Sequence, residues 1–66
     1  PTLTAYLLDA GSSMTETARL LYVHLNTVKY RLRQVQKLTG FSPTQLPGAY
    51  SLYITAAINR LSREEN

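Results

Sequence analysis

Only three residues, Val23-His24-Leu25, separate two stretches that each carry the apolar spacing of a helix, and none of the three is Gly or Pro. A gap that short keeps two consecutive helices in contact and makes them cross steeply. The rest of the chain has to be arranged around that crossing. The first stretch opens on Ser13-Met14-Thr15-Glu16, the pattern of a capping box in which Ser13 receives the amide of Glu16 and Glu16 reaches back. From there the spacing predicts a helix over 14–22, with Met14, Ala18, Leu21 and Tyr22 on its apolar side and Thr15, Glu16 and Arg19 outward. The second stretch predicts a helix over 25–39. Its Val28, Leu32 and Val35 fall at i, i+4 and i+7 and form one apolar stripe. Gly40 suits the left-handed residue past its end, with Phe41 placed to pack back on Val35.

The flanking segments are also helical in pattern. Leu3, Leu7 and Ala10, with Tyr6 alongside, predict a helix over 2–10 that ends before Gly11. It is too short to persist alone and must dock. The linker 42–48 is rich in turn residues. Ser42-Pro43-Thr44-Gln45 suits one helical turn, with Pro in the first position, and Pro47-Gly48 stops it. A last helix is predicted over 49–63, with Tyr50, Ile54, Ala57, Ile58 and Leu61 as its core stripe and Tyr53 also inward. Leu52 then projects on the opposite side near Ala56, and this helix becomes the best candidate for a dimer contact. No segment alternates at period two. The expected fold class is all-α: a compact four-helix domain, residues 1–66, containing a helix-turn-helix.

The inventory of reactive groups excludes much chemistry. The chain has 66 residues, no cysteine, one histidine (His24) and four acids: Asp9, Glu16, Glu64 and Glu65. Disulfides and thiolate metal sites are excluded, and one histidine cannot supply a zinc site. A Ser-His-Asp arrangement needs a histidine oriented by a carboxylate, and the acids lie far from His24 in sequence. The glycines at 11, 40 and 48 are isolated, so no glycine-rich phosphate loop exists. We expect no enzyme activity and no cofactor or metal. No apolar run approaches the roughly 18 residues of a membrane span, and no signal peptide is visible. A start at Pro1 rather than Met suggests a piece of a longer chain.

Charge gives the positive indication. The net charge is +3, and four of the seven cations, Lys29, Arg31, Arg33 and Lys37, sit within nine residues with no acid between Glu16 and Glu64. On the helix over 25–39, Asn26, Tyr30, Arg33 and Lys37 lie opposite the core stripe, with Lys29 and Gln34 beside them. A helix-turn-helix braces its first helix on the duplex backbone and lays its second in the major groove. The close crossing needs a small residue, Ala18, and the turn needs an apolar plug, Val23. Val28 and Leu32 then fill the core slots of the second helix. Tyr22 departs from this pattern, because Gly is common just before the plug.

Each outward residue has a chemical use. Asn26 suits a bidentate contact to adenine, and Tyr30 a thymine methyl or a phosphate. Arg33 suits phosphate more than guanine, and Lys29 a base or a backbone oxygen. Thr27 and His24 lie at the helix start, where free amides favour phosphate; His24 equally suits a structural cap or a buried ring. Arg31 lies beside the core stripe and suits a structural role as well as a DNA contact. Lys37 complements the helix dipole whatever the function.

Val23-His24-Leu25-Asn26-Thr27-Val28-Lys29-Tyr30-Arg31-Leu32-Arg33, followed by Leu38-Thr39-Gly40, resembles the C-terminal helix-turn-helix domain of PucR-type bacterial transcriptional regulators. Gly11-Ser12-Ser13 and Thr17-Ala18-Arg19-Leu20-Leu21 are similar too, and the resemblance runs from about Tyr6 to Leu61. Leu25 stands where the family often has arginine, which removes one cationic contact, and Lys29 replaces an arginine. The candidate DNA-binding set is therefore His24, Leu25, Asn26, Thr27, Lys29, Tyr30, Arg33 and Lys37. The resemblance implies the output domain of a cytoplasmic, nucleoid-associated regulator that is dimeric or larger. Its partner would be double-stranded DNA, and its effector would bind a domain absent here. The competing readings are a helical module whose basic face meets an acidic protein, and binding to a membrane surface. Membrane binding suffers because the face opposite the cations is needed for the core.

Overall fold

A computed structural model describes residues 2–64; Pro1, Glu65 and Asn66 lie outside the described residues. Helix α1 begins as an α-turn, Thr2–Thr4, and continues as a π-helical segment, Ala5–Asp9. Helices α2 (Met14–Leu21), α3 (Leu25–Thr39) and α4 (Gly48–Glu64) follow, with no strand among the described residues. The all-α class and the order of four helices agree with the spacing of the sequence.

α2 and α3 cross as their small residue requires. Ser13 caps α2, its Oγ accepting the Glu16 amide at 3.1 Å. Only half of the capping box forms, because the Glu16 carboxylate turns to Arg19 instead. Ala18 is buried at the crossing, and Val28 and Leu32 of α3 are 0% and 2% exposed against it. Burying two such side chains fully contributes roughly 1.5–3 kcal/mol each. Thr17, which the apolar pattern passes over, is also fully buried. Its hydroxyl is satisfied one turn back, donating to the Ser13 carbonyl at 2.7 Å. Met14, Val23 and Val35 pack around this centre. Gly40 closes α3 in the left-handed conformation, as expected, and donates its amide to Gln36 at 2.9 Å. Phe41 stays half exposed and outside the core cluster.

α1 is one residue shorter than its spacing predicts and is only partly α. The Ala10 amide reaches back five residues to Ala5 at 2.8 Å. This wider π turn brings three consecutive residues, Ala5, Tyr6 and Leu7, into the interior, which a 3.6-residue period cannot do. Two residues in the left-handed region, Gly11 and Ser12, then turn the chain into α2.

α4 packs on α1 with the face opposite to the one its sequence suggests. Leu52 and Ala56 are buried, whereas Tyr50, Tyr53, Ile54, Ile58 and Leu61 are exposed. The expectation of an inward Tyr50–Leu61 stripe and an outward Leu52 is therefore corrected. Two interactions fix the actual orientation. Ala56 carries only a methyl group, which permits close approach to α1. Arg60, one turn on, forms a two-pronged contact with Asp9 of α1 at 2.8 and 2.9 Å. The linker differs as well. The expected helical turn at Ser42–Gln45 is absent; residues 43–45 are bends, with Ser42 Oγ accepting the Thr44 amide at 3.3 Å. Gly48 begins α4 rather than stopping a turn. A Cβ there would lie 2.7 Å from the Ser42 amide nitrogen, so only glycine lets α4 start against the linker backbone.

Candidate nucleic-acid interface

The turn between α2 and α3 sets the position of every candidate side chain. α2 ends at Leu21, one residue earlier than predicted, because Tyr22 adopts the left-handed conformation (φ 56°, ψ 44°). Tyr22 is therefore not part of the apolar side of α2; it is 94% exposed. A positive φ explains why glycine is common at this position. The Val23 amide bonds the Ala18 carbonyl at 3.1 Å, and the Val23 side chain is partly buried on the core, as a turn plug should be.

His24 is the N-cap of α3. Its backbone is extended, and its Nδ1 accepts the Asn26 amide at 3.0 Å. This arrangement assigns the ring proton to Nε2, leaving that nitrogen as a donor at an exposed helix start. Of the two structural roles open in the sequence, cap and buried ring, the cap is the one formed. Asn26, Lys29, Tyr30, Arg33 and Lys37 are all exposed, and Leu25 and Thr27 are half-buried. Arg31 turns towards α1 and donates to Thr2 Oγ1 at 3.1 Å, so it ties α3 to α1.

The electrostatics favour an anionic partner. The ion pairs among the described residues are Arg19–Glu16 and Arg60–Asp9, which leave Lys29, Arg33 and Lys37 unpaired. Glu16 is the acid nearest to α3 on its N-terminal side. The hydrogen bond from Arg19, reinforced by its charge, holds the Glu16 carboxyl below its ordinary value. Arg60 does the same to Asp9. These acids stay ionised and engaged with their own arginines.

Beside the outward face runs a groove of about 180 Å³, where Lys29, Arg33 and Gln36 of α3 meet Met14 of α2 and Pro43 and Thr44 of the linker. Gln36 is absent from the candidate set drawn from sequence. Its spacing, seven residues after Lys29 and three after Arg33, was the available signal. Among the described residues, no helix is long and apolar enough to cross a membrane, and no three metal-ligating side chains cluster.

An uncharacterized protein of Mycobacterium tuberculosis (Rv2242) and one of Mycobacterium bovis (Mb2266) are each 46% identical to the chain over 61 residues. The match covers 92% of this chain but 14% of each relative, so the chain spans a small part of their length. No solved structure gives a significant match. The profile of the PucR C-terminal helix-turn-helix domain matches residues 1–58, spanning α1, the capped turn and most of α4. The chain thus belongs to the PucR C-terminal helix-turn-helix family, whose role is DNA binding in transcription regulation.

Proposed function

We propose that the chain binds double-stranded DNA sequence-specifically, with α3 in the major groove, as the output domain of a longer bacterial transcriptional regulator. The observation that carries this reading is the outward face of α3. There Asn26, Lys29, Tyr30, Arg33 and Lys37 are exposed together and the three cations are unpaired. Asn26 reads a base edge, since its amide is the side chain suited to adenine N6 and N7. Tyr30 lies one turn on and packs on a thymine methyl or bonds a phosphate. Arg33 and Lys37 hold phosphates, and Lys29 reaches a base or the backbone from the edge of the groove. His24 Nε2, the Leu25 amide and the Thr27 hydroxyl suit a phosphate at the helix start, whereas the amides of Asn26 and Thr27 are already taken up by His24.

The domain acts by binding rather than by catalysis. Its one histidine is engaged as a cap, and Asp9 and Glu16 are engaged by arginines. If Lys29, Arg33 and Lys37 each neutralise one phosphate, one domain supplies a salt slope of only about −3. Two domains on half-sites about one helical turn apart double that term. We therefore read the regulator as a dimer or larger assembly, with its effector bound elsewhere in the longer chain, working on DNA in the bacterial cytoplasm.

The test selects bound sequences from a random oligonucleotide pool with the longer regulator and measures this chain on the selected site against unrelated duplex. Asn26→Ala should reduce discrimination between the two by roughly 1–3 kcal/mol. An equal loss on every sequence would remove Asn26 from the reading role.

A further inference from the structure

Among the described residues, the outer face of α4 has no partner. Tyr50, Tyr53, Ile54, Ile58 and Leu61 are 39–63% exposed on one side of a helix whose other side rests on α1. Leu46, just before α4, is 78% exposed. Leu46, Tyr50 and Tyr53 also line an apolar groove of about 220 Å³, floored by Leu7 and Ala49. The two arginines of α4 lie elsewhere. Arg60 turns inward to Asp9, and Arg63 lies with it beside α1.

We propose that this face is the interface of a two-fold, antiparallel dimer of the chain, formed by α4 against α4. Three observations single out a second copy as the occupant. The first is spacing. Tyr50, Ile54, Ala57 and Leu61 are separated by four, three and four residues, a series that reads the same in both directions. Two antiparallel copies therefore meet in register, with Tyr50 against the partner's Leu61 and Ile54 against the partner's Ala57. A large side chain faces a smaller one, and Ala57 lets the helices approach at the axis. The second is shape. The groove lies at the Tyr50 end and the projecting Leu61 at the other, so each copy offers the ridge that the other's groove accepts, as a self-complementary interface requires. The third is area and charge. At about 200 Å² for a large side chain, the six residues expose roughly 700 Å² per copy. Two copies would bury up to about 1,400 Å², within the range of specific interfaces. No cation of the stripe opposes the approach of two chains that each carry +3.

α4 rests on α1, and the outward face of α3 carries the candidate DNA contacts, so the two surfaces do not compete for residues. The inference deepens the dimeric reading given above. Self-association is measured without DNA, so its failure and the failure of DNA binding are separate results.

The experiment is sedimentation equilibrium of the chain between about 1 μM and 1 mM, spanning weak to moderate affinities. A reversible monomer–dimer equilibrium is expected. Ile58→Asp should weaken it at least about tenfold and leave the thermal melt of the monomer unchanged, because Ile58 lies outside the core. Register is read by disulfide trapping, since the chain has no cysteine of its own. Tyr50→Cys mixed with Leu61→Cys should cross-link to each other. Tyr50→Cys alone should not, because the two sites would lie about 16 Å apart along the helix axes, beyond disulfide reach. A chain that stays monomeric throughout, a dimer indifferent to Ile58→Asp, or efficient self-linking of Tyr50→Cys would each overturn the proposal.

Discussion

Leu32→Ala tests the crossing on which the fold depends. Leu32 is 2% exposed and lies in the cluster of Tyr6, Leu7, Ala18, Val28 and Leu52. The substitution removes three carbons, worth about 2.4 kcal/mol of transfer free energy at roughly 0.8 kcal/mol each. The residual cavity adds a further cost. Ala18 cannot fill it, and Val28 is held by its β-branch. The total falls at about 3–4 kcal/mol, inside the usual range for buried leucine. A chain of 66 residues has roughly 3–10 kcal/mol in all, so the variant should melt about 12–30 °C lower or be largely unfolded. Urea and thermal melts followed by circular dichroism measure this, with Ile58→Ala as the control. Ile58 is 60% exposed, so its truncation should cost under about 0.5 kcal/mol in the monomer. A Leu32→Ala variant with an unchanged midpoint would show that α3 packs through a different face. Equal losses at Leu32 and Ile58 would show that both faces of the domain are buried.

Three further outcomes follow from local geometry. Gly48→Ala should destabilise by about 1–3 kcal/mol despite a helix-propensity gain near 1 kcal/mol, because the added methyl meets the backbone of Ser42; a stabilised variant in the same melts would refute the close approach. Ser13→Ala should cost about 1 kcal/mol through the lost bond to Glu16, read by urea titration. Asp9 is held below its ordinary value, chiefly by the hydrogen bond from Arg60, so the pair stabilises the fold above the carboxylate range and its contribution disappears as pH falls through the folded value. Asp9→Asn should therefore flatten the acid limb of the stability profile, and an unchanged limb would show that the pair contributes nothing.

The parts legible in the sequence are those where one period meets one available partner. Val28, Leu32 and Val35 form the only apolar stripe of α3, so its inward face was determined, and Ala18 with Val23 fixed what it crosses. The period of α4 points to the wrong face for the opposite reason. The helix has an apolar residue on both sides, and the period ranks the larger stripe first. The smaller side wins because Ala56 allows close approach and Arg60 reaches Asp9, a contact between residues 51 apart that no local pattern contains. The π segment of α1 is hidden similarly, since a 3.6-residue wheel cannot place Ala5, Tyr6 and Leu7 inside together. In the candidate site, exposure of Asn26, Tyr30, Arg33 and Lys37 followed directly from the core stripe. The capping role of His24 and the tie from Arg31 to Thr2 required side-chain positions. Tyr22 carried a signal, the position where glycine is common, but a left-handed tyrosine is rare enough that the helix pattern outweighed it.

If α3 meets the phosphates of a duplex through unpaired cations, DNA binding must weaken steeply as salt rises. The affinity of the chain for one duplex is measured across a range of salt, for the native sequence, Arg33→Ala, Lys37→Ala and Arg19→Ala. Arg33→Ala and Lys37→Ala should each weaken binding to specific and unrelated DNA alike and lower the slope of log affinity against log salt by about 1. Arg19, already engaged by Glu16, should change the slope little. Native affinity that does not fall with salt, or slopes that Arg33→Ala and Lys37→Ala leave unchanged, would show that these cations of α3 do not meet phosphates.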